Sequence, residues 1–166
     1  ERSAFLLHIT HGEARAMPVA PRRAMYGRQD LLRPHPAAMP QAAFQHALLS
    51  TDGTATERAD LTERLAAAVY RQGEAKRQAG DEVGAATDFQ RVASVAPGSK
   101  VVPTAQYDAA ASLINARQWE QAIVVLEAYR RDYPHTEYAA EITRKLAVAY
   151  VEAGRGALAA AEFERI

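Results

Sequence analysis

Residues 119–134 read WEQAIVVLEAYRRDYP, and this stretch decides the fold of the chain. Its apolar residues follow one another at spacings of 3, 1, 3 and 3: Trp119, Ala122, Ile123, Leu126 and Tyr129. Such spacing places them on one face of an α-helix and leaves the charged residues on the other face. A proline follows at 134, where its ring and its missing N–H prevent the helix from continuing. The stretch therefore predicts an amphipathic helix that packs one face against its neighbours.

The same pattern occurs three times, at a constant step of 37 residues. The matching sets are Ala85, Phe89, Val92 and Pro97, then Ala122, Leu126, Tyr129 and Pro134, then Ala159, Phe163 and Ile166. A period of about 20 to 50 residues is typical of stacked repeat proteins, in which each unit buries its apolar face against the next. The sequence therefore predicts an all-α fold, a right-handed α-solenoid of helix pairs. Such a fold offers a binding surface, so we expect binding rather than catalysis.

The regular part of the chain predicts six helices, near residues 57–79, 82–96, 100–116, 119–132, 136–153 and 155–166. Gly80 and Gly154 fall at the short turns inside pairs, where glycine adopts the left-handed conformation that ends a helix. Pro97 and Pro134 end the second helices. Asp60 with Glu63 resembles a capping box near the start of the first regular helix.

This pattern divides the chain into three segments. Residues 1–40 form an N-terminal extension, with a short helix followed by an irregular segment rich in Pro and Arg. Residues 41–65 hold a degenerate repeat helix, a loop and the start of the first regular helix. Residues 66–166 form three repeats, and the last is truncated, because Ile166 falls where Val92 and Tyr129 fall. We therefore expect the chain to be a fragment of a longer array.

Composition excludes several classes of function. The chain has 20 basic and 20 acidic residues, which argues against a nucleic-acid-binding surface along its whole length. It has no cysteine, so disulfides, Cys-ligated zinc and thiol catalysis are excluded. No run approaches the roughly 18 apolar residues of a membrane span. His8 and His11 stand one helical turn apart, but no nearby third ligand completes a metal site. We expect no enzyme activity, no metal and no cofactor.

The repeated residues resemble tetratricopeptide repeats, helix–turn–helix units of about 34 residues. The resemblance covers roughly residues 66–166. The family's small, small, large and proline positions correspond to Gly73, Ala85, Phe89 and Pro97, then Ala110, Ala122, Leu126 and Pro134, then Ala147, Ala159 and Phe163. The chain departs from the family at the first-helix tryptophan position, which carries Val69, Gln106 and Thr143. The step of 37 residues is also longer than typical.

Two segments resemble one branch of that family, YRQGEAKRQAGD at 70–81 and YRRDYPHTEYAAEITRKLAVAYVEAGR at 129–155. The branch includes the TolA-binding accessory protein of the tol-pal system and outer-membrane assembly lipoproteins of Gram-negative bacteria. The junction of Tyr133, Pro134 and Thr136 carries the likeness. The resemblance implies a scaffold in the bacterial periplasm or cell envelope, with the cytoplasm as the alternative.

The resemblance also implies a concave groove lined by the first helix of each pair. The register of the repeats indicates which residues line this groove and could contact a partner. We call them the groove set: Tyr70, Glu74, Arg77, Gln78, Tyr107, Ile114, Asn115, Arg144, Val148 and Glu152. Tyr70 and Tyr107 lie one repeat apart, and aromatic and Arg residues are frequent interface hot spots. The alternative is that both tyrosines only pack between repeats.

We therefore expect a non-enzymatic protein–protein interaction scaffold that binds a partner peptide or helix in the groove. The alternative is a structural spacer within a longer array, which contacts partners through its ends or its convex face. We expect no nucleic acid and no membrane insertion. Leu158, Phe163 and Ile166 have no following helix to cover them in this chain, so self-association through the uncapped C-terminal helix is also expected.

Overall fold

The computed structural model of this protein describes residues 54–166 together with His46. Residues 54–166 contain six α-helices: α1 (Ala55–Gln78), α2 (Glu82–Val95), α3 (Val102–Asn115), α4 (Trp119–Asp132), α5 (Ala139–Glu152) and α6 (Gly156–Phe163). The ends of these helices lie within three residues of the ends expected from the sequence. Glycine caps and prolines mark many of these ends in the sequence. The expected extension over 1–40 and the degenerate repeat helix, His46 apart, lie outside the described residues.

The helices form three consecutive pairs, α1 with α2, α3 with α4 and α5 with α6. Each helix packs mainly on the one before it and the one after it, and α1 also touches α3. No strand occurs within residues 54–166. This order of packing is that of a solenoid, in which a unit contacts only its neighbours. The predicted all-α solenoid of helix pairs is confirmed.

The turn inside each pair repeats the 37-residue step in its backbone angles. Gly80, Arg117 and Gly154 all have a positive φ, of 83°, 58° and 72°. In each turn the following residue donates its N–H to a carbonyl five residues back, as Asp81 does to Lys76 at 2.9 Å. This is the Schellman arrangement that closes a helix. Arg117 adopts the same turn without the steric freedom of glycine.

Helix α1 begins with a capping box at Thr54, not at Asp60. The Thr54 hydroxyl accepts from the Glu57 N–H at 3.3 Å, and the Thr54 N–H donates to the Glu57 carboxylate at 2.7 Å. The predicted capping box at Asp60 and Glu63 is therefore wrong. Both residues lie inside α1, where Asp60 pairs with Arg64 at 2.7 Å. Glu63 instead accepts from the Ser99 hydroxyl at 2.8 Å, ahead of α3.

The interior consists of two main apolar clusters, one for each junction between successive pairs. The first contains Leu65, Val69, Tyr70, Phe89 and Val92, and the second contains Ile123, Leu126, Ile142, Leu146 and Tyr150 among others. The predicted buried stripe of α4 lies in this interior, with Trp119 only half-buried. A smaller cluster of Ala86, Leu113 and Ala122 joins the first pair to the second. The core is therefore continuous along the stack.

Candidate functional site

Tyr70, expected in the groove, is fully buried. Its ring packs on Phe89 with the ring centroids 5.1 Å apart, and its hydroxyl donates to the Asp108 carboxylate on α3. A side chain without exposed surface is not available to a partner. The alternative interpretation, that Tyr70 packs between repeats, is the one that the structure supports.

Glu74 and Arg77 share this buried network. Glu74 is buried beside the Arg77 guanidinium, which also donates to Asp108 at 3.2 Å. The Arg77 guanidinium carbon lies 5.2 Å from the Phe89 ring centroid. Buried charges are stable only when they are paired and hydrogen-bonded. These two members of the groove set therefore join the first pair to the second and offer little to a partner.

Tyr107 holds the equivalent position one repeat later, and it too is buried. Its hydroxyl donates to the Glu141 carboxylate on α5, the first helix of the third pair. The Tyr107 side chain as a whole therefore offers little exposed surface to a partner. One part of the ring nevertheless faces a surface pocket.

The remaining members of the groove set are accessible. Gln78, Asn115, Arg144 and Glu152 are exposed, and Ile114 and Val148 are half-buried. Gln78, Asn115 and Glu152 are 37 residues apart and lie at the last turns of α1, α3 and α5. Asn115 donates to Glu82 at 3.1 Å. The structure leaves a polar surface here, mostly at the C-terminal ends of the first helices.

A pocket of about 500 Å³ lies where α3, α4 and the α4–α5 connection meet. Four tyrosines line it, Tyr107, Tyr129, Tyr133 and Tyr138, and we call it the tyrosine pocket. Pro103, Thr104 and Asp108 of α3 and Pro134, His135, Thr136 and Glu137 of the connection complete its lining. Volumes of about 300 to 1,000 Å³ are usual for binding pockets. The pocket is therefore the candidate functional site.

The four rings form a connected chain around the pocket. The ring centroids of Tyr133 and Tyr129 are 4.9 Å apart, those of Tyr129 and Tyr107 are 6.2 Å apart, and those of Tyr107 and Tyr138 are 5.1 Å apart. Tilted and edge-on arrangements at these distances are the favourable ones for aromatic pairs. Each ring thus holds its neighbour in place, and the wall is preorganised.

The α4–α5 connection owes its shape to local sequence. Tyr133 ends α4 by donating its N–H to the Tyr129 carbonyl at 2.8 Å, and Pro134 prevents a further turn. The Thr136 hydroxyl then lies 3.3 Å from the Tyr129 hydroxyl and accepts from the Tyr138 N–H at 3.3 Å. A hydroxyl that bonds nearby backbone fixes a tight loop. Thr136 therefore positions tyrosines on both sides of the connection.

The pocket has an acidic electrostatic environment. Burial raises the pKa of Tyr107, and the hydrogen bond to Glu141 and the charges of Glu141 and Asp108 raise it further. Burial, followed by the charge of Glu137, raises the pKa of Tyr138 to about 12. Burial and the charge of Asp132 raise the pKa of Tyr133. Neighbouring carboxylates disfavour an ionised phenol. The hydroxyls therefore stay protonated and serve as hydrogen-bond donors.

Sequence reasoning missed three of the four tyrosines as site residues. It treated Tyr129 as core and used Tyr133 only for the resemblance, and it did not single out Tyr138. The available signal was composition, since YRRDYPHTEY at 129–138 holds three tyrosines in ten residues around a proline. A turn that concentrates aromatic residues is a candidate interface, because tyrosine is enriched in binding sites.

The described part of the chain contains neither a cluster of metal ligands nor a helix suited to cross a membrane. No group of three or more His, Asp or Glu side chains within residues 54–166 could hold a metal ion. No helix among the described residues has the length and apolar character needed to cross a bilayer.

The comparisons with known proteins agree with the fold. A family model described as tetratricopeptide repeat matches residues 67–99 and 104–136, the first two helix pairs. No curated protein and no solved structure matched the chain at a significant level. The match supports the tetratricopeptide repeat family for this repeat region. It does not distinguish the branches of that family.

Proposed function

Because a tetratricopeptide repeat family model matches the first two helix pairs, we propose that this chain is a non-enzymatic scaffold that binds a partner peptide or helix. Repeats of this kind generally mediate protein–protein interaction and are typically not enzymes. The single observation that supports a specific site is the tyrosine pocket, which opens at the junction of the second and third pairs. It replaces the pair of Tyr70 and Tyr107 as the proposed centre of the interface, and of these two residues only Tyr107 lines the pocket.

The tyrosine pocket and the predicted groove share helix α3. Thr104 and Tyr107 lie on α3, whose last turn carries the exposed Asn115. Rigid aromatic side chains provide large contact areas at low entropic cost, and they often dominate binding energies. A partner chain that follows α3 would meet the rings at one end and the polar side chains of Asn115 and Glu152 at the other.

Site-directed photo-crosslinking in the native host tests this proposal. A photo-reactive amino acid replaces His135 at the pocket, Arg144 in the groove or Val124, which is 66% exposed on α4. We expect a protein adduct from positions 135 and 144 and none from 124. Adducts from Val124 alone would contradict the proposal and favour a convex-face contact.

A partner identified in this way allows a quantitative check. Tyr133→Ala removes a half-buried ring, so it should weaken the complex by about 2 kcal/mol if the ring is a hot spot. Thermal melting should change little in comparison. A variant that loses stability but keeps its affinity would show that Tyr133 serves the fold alone.

The second candidate function, a structural spacer, has a separate observation in its favour. Leu158 and Ile166 are 45% and 63% exposed at the C-terminal end of the described chain. Apolar side chains with this exposure favour contact with another surface. The spacer predicts adducts from position 158 and none from positions 135 and 144 in the same experiment.

We also propose the bacterial cell envelope as the compartment, with the cytoplasm as the alternative. The support is the likeness of the Tyr133, Pro134 and Thr136 junction to the tol-pal and outer-membrane assembly branch. That junction lines the tyrosine pocket, so the residues that carry the likeness are also those that form the site. Fractionation of the native host with an antibody against this chain tests the location, and recovery only with cytoplasmic proteins would contradict it.

A further inference from the structure

We propose that the tyrosine pocket receives the cationic side chain of an arginine or lysine from the partner. This inference rests on the proposed function and specifies which part of the partner the site recognises. Three features of the pocket support it: the aromatic wall, the sign of the lining charges, and a lysine of this chain that is already bound in the same manner.

The aromatic wall suits a cation. Four phenol rings surround the space, and neighbouring centroids lie 4.9 to 6.2 Å apart. The face of an aromatic ring carries negative electrostatic potential, which attracts an ammonium or guanidinium group within about 6 Å of the centroid. When several rings surround one cavity, their attractions for the bound cation sum, and the rings exclude water from it.

Lys145 provides an internal example of this recognition. Its ammonium nitrogen lies 5.6 Å from the Tyr107 ring centroid and 3.3 Å from the Glu141 carboxylate. The side chain is buried in that position. The Tyr107 ring, with a carboxylate beside it, therefore already stabilises a buried cation on α5. The half-buried rings of Tyr133 and Tyr138 provide most of the accessible aromatic surface of the pocket.

The lining charges have the complementary sign. Two carboxylates, Asp108 and Glu137, line the pocket, and no lysine or arginine is among its described lining residues. Asp108 is occupied by Tyr70 and Arg77. Glu137 is exposed, accepts a hydrogen bond from the Tyr138 side chain, and forms no ion pair within residues 54–166. A cation in the pocket would thus be paired by Glu137 at the rim.

Neighbouring cations of this chain are already paired. Arg130 makes two hydrogen bonds to the buried Glu162, at 2.8 and 2.9 Å, and Arg131 pairs with Asp132 at 2.9 Å. Partner groups of other chemistry fit less well. A terminal carboxylate would meet two carboxylates, and no lysine or arginine among the described residues lines the pocket to pair with it. An aliphatic side chain would desolvate Glu137 without replacing its hydrogen bonds.

Nuclear magnetic resonance of the full chain tests the inference with two small probes. N-acetyl-arginine methylamide carries the cation, and N-acetyl-citrulline methylamide has nearly the same shape without the charge. We expect the arginine probe to shift the amide signals of residues 104, 107 and 133–138 and to bind about tenfold more tightly than citrulline. Equal affinity of the two probes, or shifts away from these residues, would overturn the inference.

A matched pair of variants tests the role of charge. Glu137→Gln keeps the shape of an exposed side chain, so the fold should survive, and it should reduce the arginine preference severalfold. Glu164→Gln makes the same charge change at an exposed position just after α6, outside the pocket and the groove set, and should leave the preference unchanged. An unchanged preference in Glu137→Gln, or an equal loss in both variants, would contradict the inference.

Failure of this inference is distinguishable from failure of the proposed function. If His135 crosslinks to a partner but the two probes bind equally, the scaffold function stands and the cationic recognition is wrong. If the arginine probe binds selectively but no position crosslinks, the pocket recognises cations and the proposed scaffold function is wrong.

Discussion

Tyr70 and Tyr107 show how one residue position joins successive repeats. Each lies on the first helix of its pair, and each donates its hydroxyl to a carboxylate on the first helix of the next pair, Asp108 or Glu141. A charge-assisted hydrogen bond between buried groups is stronger than a neutral one. Arg144 holds the equivalent position in the third pair and is exposed.

The small residue at Gly73 is required by the side chain that faces it. A Cβ atom placed there would lie 2.7 Å from two atoms of the Phe89 ring, and that ring is fully buried. We expect Gly73→Ala to destabilise the fold by about 1–3 kcal/mol, because the ring has no space into which to move. Thermal and urea unfolding of the variant measure the change.

Gly156→Ala is the matched control for that substitution. Nothing lies within 4 Å of a Cβ placed at Gly156, at the start of α6. Alanine there should be neutral or stabilising by up to about 1 kcal/mol, because it restricts the unfolded chain. Equal unfolding midpoints for Gly73→Ala and the parent protein would mean that the helices of the first pair can move apart without cost.

Whole helices begin and end through local chemistry in this chain. Helix α1 has a complete capping box, whereas α3, α4, α5 and α6 begin without a side-chain cap. Helix α1 has 24 residues against 14 in α2, and among the described residues its first turns, 55–60, are exposed. Its cap therefore matters more than the others.

The capping box of α1 gives a prediction for that element. Thr54→Ala removes the hydroxyl that accepts from Glu57, so it should cost about 1 kcal/mol. Hydrogen exchange should increase over the first turns of α1 and not in α3 to α6. Thr54→Ser keeps the hydroxyl and serves as the control. Unchanged exchange in Thr54→Ala would show that α1 is held by packing alone.

Residues 54–166 form a linear stack, and its C-terminal end differs from its middle. Buried polar networks join the pairs in the middle, through Asp108 between the first two pairs and through Glu141 between the last two. At the C-terminal end of the described chain, Val151, Leu158 and Ile166 are exposed apolar residues. Exposed apolar side chains grouped in this way favour contact with another surface.

Self-association through this end is therefore expected. The weight-average mass in sedimentation equilibrium should rise with protein concentration. The double variant Leu158→Glu with Ile166→Glu should remain a monomer, because charges do not pack against a second apolar surface. Val83→Glu, at a 49% exposed position on α2, should still associate. A parent protein that is monomeric at all concentrations would contradict this prediction.

Alkaline pH should weaken the junction of the second and third pairs. The folded-state pKa of Tyr138 and that of Tyr150 are each raised, mainly by burial, from 10.0 to about 12. A raised pKa means that the folded state holds its proton more tightly than the unfolded state does. The stability contribution is therefore complete below pH 10 and is lost as the pH rises through 12.

Urea unfolding across this pH range measures the effect. The free energy of unfolding should fall between pH 10 and 12, while tyrosinate absorbance rises with unfolding. Tyr138→Phe removes one titrating group and should make the decline shallower. A decline of the same steepness in that variant would assign the effect to other groups.

The sequence by itself determined the helices, their pairing and their turns. The 37-residue step, the glycines at 80 and 154 and the prolines after the second helices are local signals, and the structure shows the expected helices and a positive φ at 80, 117 and 154. The spacing of the apolar residues also located the buried stripe of α4, because it indicates which face of a helix is buried.

Only the tertiary structure decided which tyrosines are buried and which line a pocket. Tyr70 is buried because Asp108, 38 positions later, receives its hydroxyl, and no pattern within α1 shows that contact. The tyrosine pocket combines Tyr107 of α3 with Tyr129 and Tyr133 from the end of α4 and Tyr138 beyond Pro134. Tyrosine suits both core and interface, since it has an apolar ring and a polar hydroxyl. The position of a tyrosine in the sequence therefore does not determine its role. The contacts between separate helices determine it.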